Sequence, residues 1–142
     1  MSVPPLFGYG TFRRTAWREA ILGCAYPSQP ATLAGYRRIA TASGYLTLRE
    51  TLLPIGLIEG VLIAVDEIGW QVADAWEEVP KYRRLAVVVN SMDGPLEALT
   101  YVCDEPDGPP VEGDRLALLS DAEVSGSIAA FAATMRTIRG TG

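Results

Sequence analysis

The 142-residue chain contains no histidine, which excludes Ser/His/Asp and Cys/His catalysis, histidine proton shuttles and every His-ligated metal site together. It has two cysteines, Cys24 and Cys103. Two thiols cannot complete a four-ligand zinc cage, and their separation is not that of a CxxC redox pair. Cys24 falls on an apolar helix stripe and Cys103 ends a strand-like run, so both are expected to be reduced packing residues. Lysine occurs once, at Lys81, outside any SxxK arrangement. Ser43, Thr47 and Ser120 have no histidine to activate them, so nucleophilic catalysis has no machinery. A chemistry without metal or cofactor is expected. Long hydrophobic runs are missing too. The most apolar stretch, Leu52 to Val65, is broken by Pro54 and Glu59 and falls short of the ~20 residues that span a bilayer. Met1 to Pro5 lacks a basic segment followed by an apolar one, so no secretory signal is read, and a cytoplasmic protein with no membrane partner is expected.

What is present suits one compact unit. With 49% hydrophobic and 20% charged residues, the chain has enough apolar surface to offset its conformational entropy, and residues 1–142 are expected to form one domain. A net charge of −5 and a pI near 4.7 argue against nucleic acid as a partner. The basic pairs Arg13-Arg14, Arg37-Arg38 and Arg83-Arg84 are scattered along the chain.

Val3 to Tyr9 is rich in apolar β-formers and closes at Gly10, which predicts a buried strand. Ala16, Trp17, Ala20, Ile21 and Cys24 recur at helical spacing before Pro27, predicting an amphipathic helix, followed by a loop over Ala25 to Pro30. Ala31 to Ile39 reads as one strand with a bend at Gly35-Tyr36, whereas Thr41 to Pro54 has no clear pattern. Leu57 to Val65 predicts a strand in which Gly60 marks a bulge or strong curvature. Ile68, Val72, Ala73, Trp76 and Val79 predict a short helix ended by Pro80. Tyr82 to Asn90 and Leu96 to Cys103, separated by Ser91 to Pro95, read as antiparallel hairpin arms. A loop over Asp104 to Gly113 follows. Ser120 to Glu123 fits a capping box, and Val124, Ile128, Phe131, Met135 and Ile138 form the stripe of a last helix. Strands with interspersed helices predict an α+β fold in which a strongly curved mixed sheet forms a barrel-like core with flanking helices.

Two segments carry candidate chemistry. Phe7 to Phe12 runs from a strand into a glycine turn, a shape that serves either as an ordinary turn or as a row of backbone N–H groups facing an anion. Asp74-Ala75-Trp76-Glu77-Glu78 puts carboxylates beside a large aromatic residue at a helix end. Such residues are either a solvated acidic face or, in a partly dry pocket, a general base with a raised pKa. Adjacent helical residues diverge by roughly 100°, so only one of Glu77 and Glu78 can face a pocket. Tyr36, Tyr45, Tyr82 and Tyr101 are either core residues or pocket walls with a hydroxyl at the tip.

Tyr9-Gly10-Thr11-Phe12-Arg13, Ala31 to Arg38, Glu59 to Leu62, and Asp74 to Arg84 resemble, in family order, the motifs of the gamma-glutamylcyclotransferase-like family, which includes avirulence-induced plant proteins. The similarity runs from Phe7 to about Cys103. Phe12 stands where that family has leucine, and Glu78 where glycine is common; Asp74 and Trp76 favour Glu77 as the register of the family's glutamate. The resemblance implies a compact barrel, a substrate loop of Tyr9, Gly10, Thr11 and Phe12, and one glutamate, Glu77, as general acid/base; of the tyrosines, Tyr82 and Tyr101 are expected to join the loop in binding substrate. It implies intramolecular cyclisation of a small gamma-glutamyl amine or amide, releasing 5-oxoproline and a free amine. The alternative is a non-catalytic small-molecule-binding protein on the same fold.

Overall fold

The computed structural model describes residues 3–41, 46–51, 57–78, 81–104 and 120–140, with side chains described as far as residue 135. Seven strands form: β1 (Leu6–Gly8), β2 (Ser28–Leu33), β3 (Tyr36–Ala40), β4 (Leu46–Glu50), β5 (Ile58–Ile63), β6 (Tyr82–Ser91) and β7 (Gly94–Cys103), with β-branched and aromatic residues concentrated in β5 and β6. The helices are α1 (Thr15–Leu22), α2 (Glu67–Trp76) and α3 (Asp121–Gly140), with a 3-10 turn at Thr11–Arg13. Five strands close a barrel in the order β1-β5-β2-β6-β7, and β3 and β4 form a separate two-stranded sheet. The barrel pairs are antiparallel except β1 with β7, where Leu6 lies parallel to Leu99. The fold is therefore α+β with a mixed, closed sheet, as the element order predicts.

Period-two alternation sorts the barrel residues into two clusters. Phe7, Leu62, Val87, Val89, Ala98 and Val102 pack with Ala31 and Leu33 across all five strands, which makes them the barrel interior. Their strand neighbours Leu6, Ile63, Tyr101 and Cys103 pack outward against Trp17, Ile21, Trp70, Val72, Val124 and Ile128 of the three helices. The β3–β4 sheet docks on the end of the barrel. There the Cys103 N–H donates to Thr47 Oγ1 at 2.9 Å, and Arg49 donates to the Cys103 carbonyl at 2.7 Å.

Several local expectations change. Ala31 to Ile39 is two strands of different sheets, because the chain bends at Gly35, at φ +85°, on leaving the barrel strand β2 for β3. The strand now called β2 begins at Ser28, inside the expected loop. Gly60 is no bulge: β5 pairs residue for residue with β2, and a side chain at Gly60 would meet the Phe7 ring at 2.5 Å and the Gly8 carbonyl at 2.6 Å. The hairpin turn is shorter than expected, since Ser91 and Gly94 already pair. The first helix ends at Leu22 on a left-handed Gly23, which leaves Cys24 exposed beyond it instead of packed. On α1 the buried face is Trp17, Arg18, Ile21 and Leu22, with Ala16 and Ala20 exposed. On α2, Ile68 is exposed while Trp70 is buried.

Part of the patternless stretch is β4. The predictions for Ser43, Tyr45, Pro54, Val79, Pro80, the side chain of Ile138 and the loop after Asp104 lie outside the described residues. The serine half of the capping box is present, the Glu123 N–H donating to Ser120 Oγ at 3.2 Å, while the Glu123 carboxylate accepts at 3.1 Å from that hydroxyl and not from the Ser120 N–H. Among the described residues no helix is long and apolar enough to cross a membrane.

Candidate active site

At the end of β1 the chain turns away from the sheet through Tyr9 and Gly10 into the 3-10 turn. The Arg13 N–H donates to the Gly10 carbonyl at 2.9 Å, which closes that turn and folds Phe12 back over Gly8. Tyr9 is buried, and its hydroxyl donates to the Tyr101 carbonyl.

The last turn of α2 faces this loop. Trp76 Nε1 donates to Thr11 Oγ1 at 3.3 Å, tying helix end to loop. Two residues earlier, Asp74 accepts two bonds from Arg84 of β6, at 3.0 and 2.6 Å, and one from the Tyr101 hydroxyl of β7 at 2.5 Å. The Arg84 guanidinium lies 4.5 Å over the Trp70 ring. A bidentate ion pair of this kind gives orientation as well as attraction, so Asp74 sets the rotation of the helix end that carries Glu77. An Asp74→Ala variant leaves the Tyr101 hydroxyl without its acceptor and should lose about 1–3 kcal/mol, read as a lower urea midpoint at unchanged m-value.

Beyond Trp76, Glu77 caps α2 in right-handed helical geometry, and Glu78 follows at φ +55°, the one non-glycine residue of positive φ among the described residues. This reversal separates the two carboxylates. Glu77 lines a narrow cavity of about 40 Å³ together with Gly8 to Phe12, Leu46, Tyr82, Thr100 and Tyr101. It also lines a wider cavity of about 340 Å³ bounded by Ala75, Glu78, Lys81, Ser127 and Phe131. Trp76, Glu77 and Tyr82 are the shared wall of the two. The exposed Glu78 borders only the wider cavity, where its carboxylate lies 3.9 Å from the Lys81 ammonium.

The residue Glu77 keeps some solvent contact, yet burial of its carboxyl pushes the pKa up to about 8, with the charge of Glu78 adding to the effect. Among the described residues no side chain or backbone group donates to that carboxylate, so little stabilises its ionised form. Burial, and in each case the charge of Glu77, also raise the pKa of Tyr9, Tyr82 and Tyr101, which keeps these phenols neutral. Tyr82 donates its hydroxyl to the Leu46 carbonyl at 3.1 Å. All three phenolic protons are thus committed to protein acceptors, and what the rings present to the cavity is wall. Among the described residues there is no cluster of three or more acidic or cysteine side chains that could hold a metal ion.

Comparison with known proteins gives this arrangement a family. The family model described as gamma-glutamyl cyclotransferase, AIG2-like matches residues 6–121. The chain belongs to the gamma-glutamyl cyclotransferase, AIG2-like family. A solution structure from Arabidopsis thaliana superposes with a TM-score of 0.64 at 21% identity, covering 99% of this chain and 93% of that one. A protein named gamma-glutamyl cyclotransferase superposes at 0.64 with 15% identity over 89% and 98% of the two chains. An AIG2-like protein from Mus musculus superposes at 0.58 with 16% identity over 79% and 90%. At these identities the likenesses show a shared fold. No curated protein matches the chain.

In this gamma-glutamyl cyclotransferase, AIG2-like chain, Tyr9, Gly10, Thr11, Phe12, Glu77, Tyr82 and Tyr101 all reach one cavity, although they come from the connection after β1, the 3-10 turn, the end of α2, β6 and β7. Tyr36 lies elsewhere, packed on the barrel interior cluster. Sequence reasoning missed Leu46, Thr100 and Ser127 of the cavity walls, and it passed over Arg18, which is buried behind the loop and lines neither cavity. The first three carry no local signal, being ordinary strand or helix residues that topology brings to the site. Arg18 had one: a cation two residues into a run of good helix formers, one position from the expected apolar stripe.

Proposed function

We propose that the protein is a gamma-glutamyl cyclotransferase, releasing 5-oxoproline and a free amine from a gamma-glutamyl amine or amide, with Glu77 as general base and then general acid. The observation that carries this reading is the position of Glu77. Its carboxyl, raised to about 8, stands on the wall shared by a narrow cavity beside Gly10 to Phe12 and a wider one beyond Trp76.

The wider cavity, of about 340 Å³, has room for the body of the substrate, and the narrow one, of about 40 Å³, admits only its δ-carbonyl end beside the loop. Glu77 removes a proton from the substrate's α-ammonium. The freed nitrogen lone pair attacks the δ-carbonyl carbon, forming the ring C–N bond and moving the carbonyl electrons to oxygen. Backbone N–H groups of the Gly10–Phe12 loop stabilise that oxyanion. Collapse breaks the C–N bond to the leaving nitrogen, which takes the proton held by Glu77; the ring nitrogen then gives up its surplus proton through the same carboxylate to the departing amine, which leaves as its ammonium. Nucleophile and electrophile belong to one molecule, so holding them together supplies about 7–11 kcal/mol in favourable cases. The remaining demand is one proton carrier of pKa near the working pH, and the reaction as proposed uses no cofactor.

The test is direct detection of 5-oxoproline by mass spectrometry after incubation with a panel of gamma-glutamyl amines and amides. Glu77 acts as base only when ionised, so kcat/KM of the free enzyme should rise with pH and level off above about 8. A ligand-dependent rise in melting temperature with no product from any compound would instead mark a binding protein.

A further inference from the structure

Arg18 is a cation almost entirely enclosed by protein, at 7% exposure, on the buried face of α1. Its Nη1 donates to the Phe12 carbonyl at 2.8 Å and, more weakly, to the Arg13 carbonyl at 3.4 Å. Its Nη2 donates to Thr15 Oγ1 at 3.4 Å and Ser28 Oγ at 3.3 Å. Every one of these acceptors is neutral. Burial lowers its pKa, opposed by the nearby charge of Glu19, but a guanidinium stays charged in a protein. A methionine or leucine would fill the same volume without the desolvation penalty of a buried charge, so packing alone does not account for arginine here.

The bonds lead toward the site. The Phe12 carbonyl that Arg18 grips belongs to the same peptide unit as the Arg13 N–H. That N–H donates to the Gly10 carbonyl at 2.9 Å, and the Gly10 carbonyl shares its peptide unit with the Thr11 N–H. In a trans peptide the C=O and N–H point in opposite directions. The sequence from guanidinium through two peptide units to the Thr11 N–H is therefore a head-to-tail line of dipoles with a full positive charge at its far end. Dipoles in such a chain polarise one another in the same sense. Gly10 and Thr11 line the narrow cavity, and Arg18 does not.

We propose that Arg18 is a positioning residue for the substrate loop: from behind it, the guanidinium fixes the 3-10 turn and polarises the Thr11 amide as a donor to the oxyanion. This rests on the reading of the narrow cavity as the place where the δ-carbonyl oxygen sits. The donor matters most when charge has built up on that oxygen, so its loss falls on kcat more than on KM.

The test compares Arg18→Met, Arg18→Gln and Arg18→Lys in the full chain, with nitrogen-15 labelling. Arg18→Met and Arg18→Gln should move the Thr11 amide proton resonance upfield, lower kcat about 10- to 100-fold and change KM by less than about threefold. Arg18→Lys keeps the charge and a donor for Phe12, and should hold kcat within about tenfold of wild type. If Arg18→Met does not fold, the contrast between Gln and Lys decides in the same way. Wild-type kcat and an unmoved Thr11 resonance in the neutral variants, with only a lower melting temperature, would reduce Arg18 to a structural role and overturn the proposal. If the wild-type chain forms no 5-oxoproline at all, it is the proposed reaction that fails. The Thr11 resonance and the affinity for added 5-oxoproline then decide on Arg18, and no change in either overturns it.

Discussion

Replacing Glu77 by glutamine is expected to leave the barrel folded and to lower 5-oxoproline release by about 10²- to 10⁴-fold, the contribution usual for a positioned proton carrier. Folding should survive because glutamine keeps the shape and because the carboxylate accepts no hydrogen bond among the described residues. The variant should in fact be the more stable protein at alkaline pH. The Glu77 carboxyl ionises near 4.5 when exposed and at about 8 in the fold, so between those values the native state holds a proton that the unfolded state has released. Stability then falls as pH rises through that window. Glutamine has no such dependence, and the melting temperature of Glu77→Gln should gain on wild type from pH 5 to pH 8.5.

Glu78→Gln is the companion measurement. Its side chain is exposed and borders only the wider cavity, so turnover should stay within about threefold. Removing its charge, the second cause of the Glu77 shift, should move the rising limb of the pH profile slightly downward. Loss of activity in Glu78→Gln with retention in Glu77→Gln would move the acid/base by one residue.

The parts of this site that can be read from sequence are those whose geometry is local. A glycine turn after a strand and a carboxylate beside tryptophan at a helix end are short-range patterns, and the β6–β7 hairpin follows from a turn between two apolar runs. That these segments meet is not local. It depends on closure of the sheet through the parallel contact of Leu6 with Leu99, which no window of sequence contains. The β3–β4 sheet was illegible for a related reason. Arg37 and Arg38 interrupt the alternation of β3, and the apolar positions Leu46 and Leu48 of β4, which join the barrel-interior cluster, are too few to mark a strand by themselves. Arg18 was passed over and Cys24 misplaced because helix periodicity reports where apolar residues fall, whereas the acceptors at Phe12 and Ser28 and the stop at Gly23 determined which residues of α1 turn inward.

The second large effect is expected from Gly8→Ala. Gly8 ends β1 and pairs with Val61 in regular register, and its φ is not positive, so the backbone itself accepts alanine. The obstacle is space: a Cβ there would stand 2.6 Å from Phe12 Cβ, with the Phe12 carbonyl carbon at 3.5 Å. Carbon atoms pack at about 3.5–4.0 Å, so Phe12 must retreat by about 1 Å. It cannot do so alone. Its ring is buried in the cluster beneath the helices, its carbonyl is held by Arg18, and the turn it belongs to carries Thr11 against Trp76. The displacement therefore reaches the loop amides. A misplacement of this size costs about 10²-fold where reacting groups must be aligned, and kcat/KM of Gly8→Ala should fall by that factor. The overpacking should lower stability by about 1–3 kcal/mol, offset in part by the reduced freedom of alanine in the unfolded chain. Urea unfolding separates the two effects: assayed where the variant is fully folded, the loss of kcat/KM should persist. Wild-type kcat/KM in a folded Gly8→Ala protein would mean that the loop tolerates this shift and does not align the reacting carbonyl.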